Sequence, residues 1–396
     1  MSTRVTRLED FNYGDHNLDI LWVIVDDQSS PPLLPLLFTT FLSRFGCVIE
    51  AREYSNESRR ERVSSLHLNE IEDKSIRTYV YCLSRFLSHL DFCQAKKETP
   101  GLHFSSACSE NFVNNYLNDI LANELDSSHS LDTHQSALTA YFNWLDYIEI
   151  SPRLNLKIYR KTRQLVAAKS KKQHYIQYIS RHKRAQLLNT CTTLGEKLII
   201  RMGFEVGLRT CELMGLRISG NNNLKALFEK LHDKDLHHIE RFRYWLHGRY
   251  TKGLKSRWIY FDRILLTDME RYFDTERKWI VNQTESKDGS FFLRTDNCSK
   301  GTGISESQGS NVFKRRKVNA GLNSLLHFHD LRHTFATELF HEETSGSDGR
   351  ETRSESAALI VVSQRLGHEI GKNGHASPST TRYIRMRLQM EEVESE

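Results

Sequence analysis

HDLRHTFAT, residues 329–337, sets two histidines and an arginine among residues that favour a helix. Leu331, Phe335, Ala336 and Leu339 recur at helical spacing, and nothing in the stretch breaks a helix. His329 precedes Arg332 by one short helical step and His333 by the next, so all three project from about one side. Three readings of that side compete. The first is a core helix with a polar edge. The second is a zinc site, because two histidines one turn apart can ligate the metal. No glutamate follows the first histidine as in HExxH, and no third ligand stands at a recognisable spacing. The third is an anion clamp, in which arginine offers a planar fork to phosphate oxygens and histidine donates or moves a proton.

The whole chain bounds the choice. Its 396 residues are enough for two or three domains. With 38% hydrophobic and 27% charged residues, it can build proper cores while staying polar overall. The net charge of +5 is unevenly spread. Eleven Lys or Arg and no Asp or Glu lie between Ser151 and Arg184, whereas four Glu crowd the tail from Glu391 to Glu396. Such a basic stretch points to a polyanion, most simply nucleic acid; the competing reading is a solvated linker. The 7 cysteines form no CxxC pair and no disulfide framework, which suits a reducing cytosol. MSTRVTRLED lacks the apolar core of a signal peptide. The runs LDILWVIV and LLPLLF, separated by Pro31 and Pro32, are too short to span a membrane. No membrane partner is expected, and the location expected is cytoplasmic, with the nucleoid.

Patterning divides the chain. Residues 1–55 read as a small N-terminal extension, with a strand over Leu18–Val25 and a helix over Leu33–Phe45. Residues 56–155 read as an all-helical bundle, in which Tyr79, Leu83, Phe86, Leu87 and Leu90, then Leu138, Phe142, Leu145 and Ile148, fall at helical spacing. Residues 156–178 read as a basic linker and 179–396 as a mixed α/β domain with a C-terminal tail. In that domain, Arg181–Cys191, Gly195–Val206 and Leu265–Val281 read as helices. RYWLHGRYTKGLKSRWIYF (243–261) reads as a β-hairpin around a Lys-Gly turn. NNNLKALFEKLHDKD reads as an inserted loop, Ser299–Ser310 as a Gly/Ser loop, and Glu342–Ser356 as an acidic polar loop. The fold class expected is mainly α with a small β-hairpin or sheet.

Four further pieces stand beside the opening stretch: GLRTCELMGLR (207–217), TKGLKSR (251–257), RLGH (365–368) and STTRYIR (379–385). In this order the five pieces resemble the tyrosine recombinase, or phage integrase, family across the second half of the chain. The helical region with its basic linker is similar, more weakly, to that family's core-binding domain of SAM-like fold. The resemblance implies a site-specific recombinase that cleaves and rejoins DNA through a 3′-phosphotyrosine. It implies Arg209 and Arg332 on the phosphate oxygens, Tyr383 as nucleophile and Lys252 as general acid. His329 would assist proton transfer at Tyr383, and His368 would hydrogen-bond the scissile phosphate. Double-stranded DNA with inverted-repeat arms is the implied partner, bound by a homo-tetramer on paired sites that is a monomer or dimer when free. No cofactor and no metal are implied.

The roles make chemical sense. Fixed guanidiniums stabilise charge growing on non-bridging oxygens, a phenol oxygen can be held as a phosphoester, and a hairpin ammonium can protonate a leaving alkoxide. Each residue also has a plainer reading: Arg209 and Lys252 as surface cations, Lys255 as a rival to Lys252, Tyr383 as a half-buried aromatic, and Glu212 as a buttress for Arg209 or a surface carboxylate. His333 reads as structural. The chain departs from the family pattern in a long stretch between Arg332 and His368, in a second candidate histidine at His375, in a shortened approach to Tyr383, and in Arg385 where a second histidine often follows. His368 fits better than His375 because Leu366-Gly367 precede it. A DNA-binding accessory protein without strand exchange, and a topoisomerase-like or hairpin-forming relative, are the alternatives.

Overall fold

The computed structural model describes residues 3–13, 16–56, 61–95, 102–169, 177–220, 223–251, 254–345, 353–368 and 390. Lys252, His375, Tyr383, Arg385 and the acidic tail lie outside the described residues. The chain divides into two compact units, 1–173 and 174–396.

In the first unit, β1 (Arg4–Tyr13) and β2 (His16–Val25) pair antiparallel, with Leu8 opposite Leu21 and Phe11 opposite Leu18. Pro32 is extended and starts α1 (Leu33–Phe45); Gly46, at φ 60°, ends it in the left-handed region where glycine is unstrained. A second hairpin follows, β3 (Cys47–Asn56) with β4 (Glu61–Glu70). Then come α2 (Asp73–Ala95), α3 (Glu110–Asn115), a π-helical turn (Tyr116–Ile120), α4 (Leu121–Glu124), α5 (Ser128–Tyr147) and α6 (Arg160–Lys169). The expected apolar stripe is the core of α2 and α5: Leu83, Phe86, Leu87, Leu90, Leu138, Phe142 and Leu145 are all fully buried. Each such side chain is worth about 1.5–3 kcal/mol relative to exposure.

Two features differ from the sequence reading. The residues read as an N-terminal extension share this same core, through Ile24, Phe38, Leu42, Val48 and Ile49, and residues 61–70 are a strand, not part of a helix. Alternating residues of a half-buried strand carry no helical period, so the pattern could not show where they dock. The basic stretch is also not a free linker over its first half. Asn114 and Asn118, one turn apart, read its backbone like a ladder. Asn114 accepts from Lys157 N (2.8 Å); Asn118 donates to Lys157 O (2.8 Å) and accepts from Tyr159 N (2.9 Å). Leu156, Ile158 and Val166 enter the core beneath.

The second unit runs α7 (Arg181–Asn189), α8 (Leu194–Phe204), a 3-10 turn (Cys211–Gly215), α9 (Lys225–His232), β5 (Arg241–Leu246), β6 (Arg257–Asp262), α10 (Arg263–Tyr272), a π-helical turn (Phe273–Arg277), α11 (Lys278–Thr284), α12 (Gln308–Asn319), α13 (Phe328–Thr344) and α14 (Glu355–Leu366). The stretch read as an inserted loop contains α9, whose Leu227, Phe228 and Leu231 are buried at helical spacing. β5 and β6 form the expected hairpin, with Trp245 opposite Trp258. Its connection is longer than a Lys-Gly turn and folds back on itself. Gly248 N donates to Ser256 Oγ (2.8 Å), and Thr251 Oγ1 donates to Lys255 O (2.8 Å). The opening helix, α13, begins with a capping box: Asp330 Oδ2 accepts from His327 N at 2.7 Å. Leu331 faces α8, where Gly203 lies so close that a Cβ there would come 2.8 Å from Leu331 Cβ. Ala336, Leu339 and Phe340 face Ala358, Leu359 and Val362 of α14.

Among the described residues, no helix is long and apolar enough to cross a membrane.

Asn118→Ala removes three hydrogen bonds to backbone, two of them to the basic segment, so unfolding free energy should fall by about 1–3 kcal/mol. Urea unfolding measures the loss, and limited proteolysis should find new cutting at 153–159. An unchanged midpoint would mean the basic segment is not held by this ladder.

Candidate functional site

The site is assembled around one carboxylate. GLRTCEL leaves α8 through Gly207, whose φ of 72° suits glycine and where a Cβ would collide with the Phe335 ring. The chain then closes the 3-10 turn that carries Glu212, a side chain with 0% exposure. Glu212 accepts from Arg209 N (2.8 Å) and Arg209 Nη1 (2.8 Å). It accepts side-on from Arg257, Nη1 to Oε1 and Nη2 to Oε2, both at 2.8 Å. Arg332 Nη1 completes the set at 3.3 Å. Burial alone would raise the Glu212 carboxyl. The Arg257 hydrogen bonds and the charges of Arg332, Arg257 and Arg209 override it and hold it at about 2. Its reading as a buttress for Arg209 therefore understates it: one carboxylate braces three arginines.

Arg332, expected to face a phosphate, is fully enclosed. Its guanidinium also donates to Gly207 O and Leu366 O, tying α13 to the glycine bend and to the end of α14. Arg209 keeps an open side, with 21% of its side chain exposed. His329 lies one helical step before Arg332. Its ring has an accessible face, but crowding on the other side and the charges of Arg332 and Arg209 hold it near neutral form, at about 4. His333 stacks edge-on against it, ring centres 4.4 Å apart.

His368 follows Gly367, which ends α14 at φ 67° and passes the chain back so that His368 N donates to Ser363 O (2.9 Å). Burial, then the charges of Arg332, Arg209, Arg257 and His329, lower His368 to about 3. Glu212 holds Arg209 and Arg332 together, and Arg332 holds Leu366 O two residues before His368, so the structure brings Arg209, Arg332, His329 and His368 into one region. Sequence reasoning assigned no role to Arg257. Its signal was present as the last residue of KGLKSR.

A surplus of fixed positive charge beside two neutral imidazoles is suited to binding a dense anion and moving a proton at it. Among the described residues no group of three or more His, Cys, Asp or Glu could hold a metal ion.

Residues 177–348 match the phage integrase family. The tyrosine recombinase XerC of Lactobacillus leichmannii is 25% identical over 177 residues, which are 45% of this chain and 48% of that protein. The chain thus spans about half the length of the curated relative it matches. The solved post-cleavage complex of XerH site-specific recombinase bound to palindromic difH substrate shares the fold, with a TM-score of 0.53 and 18% identity over 81% of this chain and 79% of that one. The pre-cleavage XerH complex gives 0.50 and 17%, covering 80% of each. Among the described residues, the matched region is mainly helical with a small antiparallel hairpin, as the sequence led one to expect.

The lowered imidazoles predict a pH dependence. Both imidazoles titrate in the folded protein below their ordinary 6.5, so the unfolded chain binds more protons as pH falls through that value. The stability they contribute is complete above about pH 6.5 and is lost as pH falls toward about 4 for His329 and about 3 for His368. Glu212 adds a loss in the lower window, from its ordinary 4.5 toward 2. The thermal midpoint of the wild type should therefore drop more steeply between pH 6.5 and 4.5 than that of His329→Gln/His368→Gln. Parallel slopes would show that these rings are not held neutral.

Proposed function

We propose that this protein is a site-specific recombinase that cleaves and rejoins DNA strands through a 3′-phosphotyrosine intermediate, in the service of a mobile genetic element. The observation that carries the reading is the Glu212-braced arginine cluster with neutral His329 and His368 beside it, on the one domain whose sequence matches the phage integrase family. Arg209, with its open side, takes a non-bridging oxygen of the scissile phosphate. Arg332 supports the same phosphate from beneath and reaches it when its carbonyl contacts give way. The Tyr383 hydroxyl attacks phosphorus: the Oη–P bond forms and the P–O5′ bond breaks. The phenol proton passes to His329, and Lys252 supplies the proton that the departing O5′ takes up. His368 donates a hydrogen bond to the phosphate. Rejoining is the reverse attack by a 5′-hydroxyl, with bond energy kept in the phosphotyrosine, so neither ATP nor a metal is required.

The substrate of this reading is double-stranded DNA with inverted-repeat arms, recombined by a tetramer assembled on two sites, in the cytoplasm with the nucleoid. The XerH complexes carry difH DNA, palindromic in one of them. Residues 151–169, basic and bolted to the first unit, are suited to following a phosphate backbone.

Covalent trapping tests the reading. The wild type, Tyr383→Phe and Arg209→Ala are incubated with nicked DNA from the ends flanking the gene, without metal or ATP, and run on a denaturing gel. The wild type should form an adduct, Tyr383→Phe none, and Arg209→Ala should be slower by about 10²–10³-fold. A native-gel shift with no adduct from the wild type would instead mark a DNA-binding accessory protein.

A further inference from the structure

Arg257 opens β6, is 7% exposed, and spends all three guanidinium nitrogens on the protein. Two of them clamp Glu212, and the third, Nε, donates to Arg365 O at 3.1 Å, in the last turn of α14. We propose that Arg257 is a positioning residue for the phosphate site, a strut that locks the hairpin, Glu212 and the end of α14 into one register and so sets Arg209 and His368 relative to each other. This rests on the reading of the site as a DNA-cleaving centre.

The geometry leaves little slack. A carboxylate offers about four acceptor positions. Here they receive Arg209 N, Arg209 Nη1, both Arg257 Nη groups and Arg332 Nη1, so none can turn without displacing another. The stem of Arg257 is packed as closely as its head is bonded. A Cβ on Gly367 would lie 2.9 Å from Arg257 Cδ, so α14 ends directly on this side chain, and the next residue is His368. A second tie reinforces the first, because the Arg365 guanidinium lies 3.6 Å from the centre of the Tyr260 ring on the same strand. The hairpin is the element whose connection holds Lys252. Thus one residue links the arginine turn, the hairpin and the approach to His368. Lysine cannot replace it, since one nitrogen cannot clamp both Glu212 oxygens and reach Arg365 O.

The test compares wild type, Arg257→Lys and Arg257→Ala in DNA binding on native gels, adduct formation at saturating DNA, and hydrogen–deuterium exchange. Both variants should bind DNA within about twofold of wild type yet form adduct about a hundredfold more slowly, the scale of a misplacement near 1 Å. Millimolar guanidinium should restore adduct formation in Arg257→Ala and leave Arg257→Lys unchanged, which loss of general stability would not produce. Faster exchange should be confined to residues 205–217 and 360–368. Wild-type cleavage in either variant overturns the proposal, as does a parallel loss of binding, folding and rescue. If the wild type itself forms no adduct, the functional reading fails, and exchange decides the strut: a local increase in both segments upholds it, and unchanged exchange sinks it.

Discussion

Glu212 carries a negative charge into a place with no solvent, and three guanidinium groups converge on it. Burying one ion costs several kcal/mol, and this is offset only when hydrogen bonds fill its lone pairs. The five donors around Glu212 meet that condition. The consequence is a rigid cluster with more positive than negative charge. Burial, and after it that surplus, lower both histidines, and the surplus gives an incoming phosphate a pre-formed field to enter.

Helix α13 makes the cluster possible because different sides of it do different work. Leu331 locks against α8 across Gly203, Ala336 and Phe340 pack on α14, and Arg332 lies between, bridging the backbone of both neighbours. Ile179 N donates to Thr334 Oγ1, and Arg184 pairs with Glu338, so the entry to the second unit is pinned to the same helix. A helix held on so many sides keeps its polar residues within the tolerance that phosphate chemistry requires.

Much of this was legible in the chain. Leu83, Phe86, Leu87 and Leu90 repeat at 3.6 residues and are core; the aromatic run around Trp245 and Trp258 is a hairpin; HDLRHTFAT is a helix. What was misread had a weak or mixed period. α9 looked like a loop because Asn221, Asn222 and Asn223 precede it. The hairpins of residues 4–25 and 47–70 alternate too irregularly to announce that they complete the helical core. The basic stretch looked free because charge density says where solvent is welcome, whereas the Asn114 and Asn118 ladder is a contact between residues some forty positions apart.

By itself the sequence determined which residue types stand at chemical positions, and the order of five motifs pointed to a family resemblance, because identity and spacing are local properties. Only the tertiary structure decided that Arg332 is enclosed and Arg209 open, that Glu212 serves three arginines, and that Arg257 packs against the end of α14 at Gly367. Those facts depend on segments as distant as residues 207, 257, 332 and 366 meeting at one point. Which guanidinium is spent on the scaffold and which is left for an anion is settled by burial and hydrogen-bond competition at that point, and neither exists until the chain has folded.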